Sequence, residues 1–139
     1  MKSLQINYLA VLAAAVATFV LGAVWYISFS EPWMSLAGLT EEKITASGGG
    51  VSAYIISFIT YLLGAYAMAI LFKSMNISTL KTGAMTGALI GAIIVGGNIF
   101  TNNAYEIKPI GLSVLNAGFS AVSGAAMGAI LGAWKKYAQ

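Results

Sequence analysis

The 139-residue chain contains no cysteine, histidine, aspartate or arginine. Each absence removes a class of function. Without cysteine there are no disulfides. A transition-metal site loses almost all of its usual ligands, so neither a metal nor another cofactor is expected. Charge is scarce as well: 8% of residues are charged, where a soluble domain carries about a quarter. Seven lysines and four glutamates give a net charge of +3, too few to coat a globule in water. The lysines stand at segment ends and are not gathered on one face, which argues against nucleic acid as a partner. Catalysis is not expected either. A nucleophile needs a positioned base, yet every lysine lies at a segment boundary, and the boundary carboxylates Glu31 and Glu106 sit on different loops.

What the chain has is apolar length, with 59% hydrophobic residues. Residues 3–30, 44–72, 82–105 and 109–134 contain no lysine or glutamate, and each run exceeds the ~20 residues that carry an α-helix across a hydrocarbon core. The runs are continuously apolar, whereas barrel strands alternate over about ten residues. In lipid the backbone must also satisfy its own hydrogen bonds, which selects helix. The reading is an all-α, polytopic four-helix bundle, residues 1–139 forming a single membrane domain. Its helices are predicted near 6–29, 51–73, 79–102 and 109–134, with a loop over 30–50. Gly48, Gly49 and Gly50 break the chain before the second helix, Asn76 and Ser78 turn it before the third, and Pro109 suits the first turn of the fourth. The first run follows Lys2 as a signal peptide would, but it is longer than the usual 7–15-residue apolar region. It is therefore taken as a retained span.

Lys2, Lys73, Lys81, Lys135 and Lys136 fall on one side of such a bundle; Lys43, Lys108 and all four glutamates fall on the other. Positive residues mark the cytoplasmic side. Both chain ends are thus expected in the cytoplasm, the protein lying as a multi-pass chain in a prokaryotic cytoplasmic membrane such as a bacterial inner membrane. Trp25, Tyr26, Trp33, Tyr54 and Tyr105 then lie near the outer interface, and Tyr8, Trp134 and Tyr137 near the inner one, the depth that amphipathic rings prefer. In the outer loop, Ser30-Glu31-Pro32-Trp33 reads as a cap and short helix, and Thr40-Glu41-Glu42-Lys43 as a second helix start. An interfacial connector explains its apolar residues better than a substrate-binding lid.

Small residues form rows. Gly83, Gly87 and Gly91 recur every four residues beside Ala84, Ala88 and Ala92. Asn116, Ser120, Gly124, Gly128 and Gly132 recur likewise beside Ala117, Ala121, Ala125, Ala129 and Ala133. Spacing by four keeps each row on one side of its helix, and small residues let backbones approach where lipid removes the hydrophobic drive. One row on each helix would pack the third against the fourth. The second rows need the first helix, with Ala10, Ala13, Ala14 and Ala17, or another copy of the chain, so a homo-oligomer is expected in the bilayer.

Polar side chains gather in the outer half. Trp25 and Tyr26 close the first helix; Tyr54, Ser57 and Tyr61 descend the second; Asn98 and Asn102 end the third; Asn116 and Ser120 lie on the fourth. An amide facing lipid leaves its donors unpaired, so Asn98 and Asn116 are expected to face inward. These nine residues are the candidate ligand-binding set, as either interhelical bonds or an outward-open pocket for an unidentified small molecule.

Several of these stretches, Trp25-Tyr26, Glu31-Pro32-Trp33-Met34, residues 98–109 and Asn116-Ala117-Gly118-Phe119, together with the opening Ile6-Asn7-Tyr8-Leu9-Ala10-Val11, resemble the prokaryotic domain of unknown function 1761 over nearly the whole chain. The resemblance implies a small four-helix membrane protein and transfers no functional residue. It also implies an acidic residue in many relatives where this chain has Asn116, and a longer loop after Tyr26. With no ionisable residue at mid-depth, charge-coupled pumping is disfavoured. What remains is a transporter or permeation subunit for a small neutral or weakly polar solute, or a structural or accessory subunit that self-associates or docks on a larger partner through its Gly/Ala rows.

Overall fold

The computed structural model describes residues 2–139. Asn7 starts the first helix from an extended conformation, its Oδ1 accepting the N–H groups of Leu9 and Ala10. Such a cap satisfies donors that a helix N-terminus otherwise leaves open. Helix α1 spans Tyr8–Ser28, and two short helices follow, α2 at Ser30–Ala37 and α3 at Glu41–Ala46. Thr40 caps α3 by accepting from the Lys43 N–H, whereas Phe29, not Ser30, precedes α2 and offers no side-chain cap. Gly48, Gly49 and Gly50 all take positive φ and lead into α4, Val51–Met75. Asn76 stops α4 in the left-handed region at φ 55°. Thr79 then caps α5, Leu80–Leu89, which runs through a π-helical turn at Ile90–Val95 into α6, Gly96–Tyr105. Helix α7 spans Ile110–Ala133 after Pro109.

Four helices are long and apolar enough to cross a membrane: Tyr8–Ser28, Val51–Met75, Leu80–Tyr105 and Ile110–Ala133. Only 22–39% of each apolar window is buried within the chain. The rest is a belt of exposed Leu, Ile and Val, including Val20, Val24, Ile59, Leu63 and Ile94, for which lipid is the fitting solvent.

Two short strands, absent from the sequence-based expectation, close the chain. Leu4–Gln5 (β1) and Lys136–Tyr137 (β2) pair antiparallel, Leu4 opposite Tyr137. The Asn7 Nδ2 adds a bond to the Trp134 carbonyl at 3.2 Å, and Lys135 Nζ reaches the Ser78 carbonyl at 3.0 Å. Both chain ends therefore lie at one end of the bundle, the terminal end; α2 and α3 lie at the other, the loop end.

Helix α7 is the centre, packing on α5, α1 and α6 and meeting α4 and α2 over smaller areas, while α4 rests mainly on α1. The terminal half is dense. Ala10, Ala14, Ala15 and Ala65 have no exposed surface, and Met68, Phe72, Met127 and Leu131 fill the space around them. The α5–α7 contact is closer still, made of backbone on backbone. Gly83 faces Gly128 and Gly132, Gly87 faces Gly124 and Gly128, and Gly91 faces Ser120 and Ala121. This antiparallel register places Cα–H groups against carbonyl oxygens of the neighbouring helix, a weak attraction that recurs at tight helix pairs.

Candidate functional site

The loop half is looser because α4 leaves the bundle there: Val51 to Ile56 are all exposed. Between it and α1 lies an open cleft of about 690 Å³. Helix α1 contributes Phe19, Gly22, Ala23, Tyr26 and Ile27, the start of α2 contributes Ser30 and Trp33, and α4 contributes Tyr54, Ser57 and Tyr61. The α1 and α2 positions recur at three and four, one helix face continued through the junction at Phe29. Gly22 gives the wall its depth: a Cβ there would sit 3.3 Å from the Phe119 ring and 3.7 Å from the Tyr61 hydroxyl.

The aromatic rings are held from behind. Phe119, buried on α7, lies 5.4 Å from the Tyr26 ring centre, 6.4 Å from Tyr61 and 6.2 Å from Trp25. Trp33 covers Tyr26 from above at 5.2 Å, and Phe19 meets Tyr54 and Phe58 edge-on at 6.4 and 6.0 Å. These offset geometries favour ring pairs beyond simple burial. The Tyr26 hydroxyl donates to Asn116 Oδ1 at 2.9 Å, fixing the ring and pairing the amide oxygen. Ser120 Oγ donates to the Asn116 carbonyl at 3.1 Å, and Asn103 Nδ2 donates to Ser113 Oγ at 3.0 Å. A volume of this size falls in the range of small-molecule sites, and a mostly apolar wall with a few oriented polar groups is their usual chemistry.

The match to known proteins is at the level of family. A family model described as a protein of unknown function, DUF1761, matches residues 9–132. The chain belongs to the DUF1761 family. No curated protein and no solved structure matches it.

In this DUF1761 protein the nine sequence candidates separate into four groups. Tyr26, Tyr54, Ser57 and Tyr61 line the cleft. Asn116 and Ser120 lie behind it and reach it only through the Tyr26 hydroxyl. Trp25 belongs to neither: its ring turns away from the cleft to pack on Phe29, Phe119 and Gly118, and its buried Nε1 has no partner among the described residues.

Asn98 and Asn102 correct the sequence reading outright. Both are exposed on α6 and do not join Asn116. The cause is the π turn, where the Gly96 N–H donates to the Gly91 carbonyl five residues back. A π turn inserts one residue into a helix, so the face that carries Gly83, Gly87 and Gly91 continues at Gly96, Ile99 and Asn103. Gly96 is buried beside Ala117, Ile99 is half-buried and Asn103 bonds Ser113. Strict spacing by four would have put residue 95 in that place. The five-residue step from Gly91 to Gly96 was the available sign. Phe19, Gly22, Ala23, Ile27, Ser30 and Trp33 were missed as cleft residues because most carry no polar atom to mark them.

Proposed function

We propose that this family member binds a small neutral or weakly polar solute in the α1–α4 cleft and lets it cross the membrane. The supporting observation is the cleft itself, of small-molecule size, aromatic, furnished with hydroxyls, and lined by no lysine or glutamate. A charged solute in such a wall would go unpaired, at high cost in low dielectric. The terminal half is closed by the Ala10, Ala14, Ala15 and Ala65 seam. Passage therefore requires α4 to shift along α1, and side chains of one carbon offer little steric resistance to that movement. The exposed amides of α6 favour a second reading, a structural or accessory subunit that self-associates.

Ala23 lines the cleft yet is exposed, so Ala23→Phe fills the opening without disturbing the core. In proteoliposomes tested with glycerol, urea and short alcohols and amides, this variant is expected to cut uptake by about tenfold, equivalent to ~1.4 kcal/mol. Val24→Phe, on an exposed neighbour outside the cleft lining, is expected to behave like the parent. Equal uptake by parent and Ala23→Phe, or no uptake by the parent, sinks the reading.

The lysines support an orientation with the terminal end in the cytoplasm of a prokaryotic cell, since Lys73, Lys81, Lys135 and Lys136 sit at that end. The cysteine-free sequence makes the check direct. A membrane-impermeant maleimide should label Ser3→Cys only in inverted vesicles and Ser47→Cys only in intact spheroplasts; the reverse pattern inverts the assignment.

A further inference from the structure

The exposed side of α6 carries Gly97, Asn98, Thr101, Asn102 and Tyr105, with Ile94 of the π turn on the same side. Asn98 lies seven residues from the helix end at Tyr105, about 10 Å deep at ~1.5 Å per residue. The neighbouring polar groups are satisfied inside the chain: Thr101 Oγ1 donates to the Gly97 carbonyl, and Asn103 bonds Ser113. Asn98 and Asn102 are the amides of α6 left without a bond among the described residues. Lipid tails can offer them nothing, and helix backbones in a bilayer have already paired their own polar groups. Beside them, Gly97 has no atom within 4 Å of where a Cβ would stand. A helical glycine sacrifices backbone stability; Gly64 is equally open, and what sets Gly97 apart is its place beside two unpaired amides.

We propose that a second copy of this chain packs on this face of α6, the Asn98 and Asn102 amides bonding to their counterparts across a two-fold axis at Gly97. A carboxamide holds both donors and acceptors, so it is its own complement. Two-fold symmetry places identical residues opposite one another near the axis. A second copy thus meets both unsatisfied amides at once, and Gly97 lets the two backbones come close enough for side chains this short. The Gly83–Gly87–Gly91 and Gly124–Gly128–Gly132 rows cannot supply this contact, because they face each other within one chain. The π turn connects the two arrangements: it keeps Gly96 against α7 and sends Asn98 and Asn102 to the opposite side.

The test uses single cysteines in the cysteine-free full chain, oxidised in native membranes. Thr101→Cys is expected to give a disulfide-linked dimer, while Ile59→Cys, on the exposed side of α4, gives none. Adding Asn98→Leu and Asn102→Leu to Thr101→Cys is expected to lower the crosslinked fraction by about tenfold, given what amide pairs contribute between membrane helices. Thermal unfolding of the same variants in detergent checks that the monomer stays folded. No dimer from Thr101→Cys, crosslinking equal at residues 59 and 101, or a dimer that survives loss of both amides in a folded chain each overturns the proposal.

Discussion

Gly87→Leu is expected to destabilise the folded bundle by about 3 kcal/mol or more. A Cβ at this position would fall deep inside contact distance of the Gly124 carbonyl oxygen, 2.9 Å from its carbon and 3.1 Å from the Gly128 Cα. The clash is reciprocal, for a Cβ on Gly124 meets the Gly87 carbonyl in the same way. None of these atoms is the movable end of a side chain. The helices can accommodate leucine only by separating, which opens the register from Gly83 to Gly91 along its length. Overpacking a core costs typically ~1–3 kcal/mol, and rigid backbone on both sides puts this case at or above the upper figure. Native proteins hold only about 5–15 kcal/mol, and here no hydrophobic gain in lipid offsets the loss. Gly64→Ala is the matched control. Its Cβ meets nothing within 4 Å, so the exchange should raise stability by about 0.5–1 kcal/mol through helix propensity alone. Denaturant titration followed by circular dichroism compares the two, and a Gly87→Leu protein as stable as the parent refutes the close-packing account.

Removing Ile93 altogether is expected to leave the fold intact, an unusual outcome for a deletion inside a membrane span. Ile93 is exposed within the π turn. Its loss turns the five-residue step between Gly91 and Gly96 into four, so Gly83, Gly87, Gly91 and Gly96 all recur at the α-helical interval. Asn103 stays opposite Ser113, and Asn98 and Asn102 stay outside. Deleting Met85, equally exposed but in regular helix, instead rotates one side of α5 against the other by about 100°. That removes Gly83 from the row, and the protein should be lost from the membrane. The same unfolding and expression assays separate the two deletions; equal loss in both contradicts the view that the π turn holds one surplus residue.

The sequence made the crossings legible because lipid imposes a harsh rule, that every charge be kept out of the span and every backbone bond be made within it. The glycine rows were legible for a related reason, since spacing by four survives any packing arrangement of regular helix. Where the helix is not regular the same logic misplaced Asn98 and Asn102, and a single extra residue was enough. The cleft was half visible: hydroxyls on Tyr26, Tyr54, Ser57 and Tyr61 marked it, while Gly22 and Ala23 matter by their smallness and carry no local sign. The β1–β2 pairing could not be read at all, because two-residue strands at opposite ends of a chain have no periodicity and form only once the rest has folded around them.

The central place of α7 has a consequence for biogenesis. Synthesis proceeds from the amino end, so the helix on which α1, α5 and α6 all pack leaves the ribosome after each of them. The α1–α4 seam can assemble early, from neighbours in the chain. Until α7 arrives, however, the glycine face of α5 lacks its partner, and β1 waits for a strand made after all four spans. A ribosome stalled before residue 110 would therefore hold three inserted helices with an unpaired groove, a natural target for the quality-control machinery of the membrane.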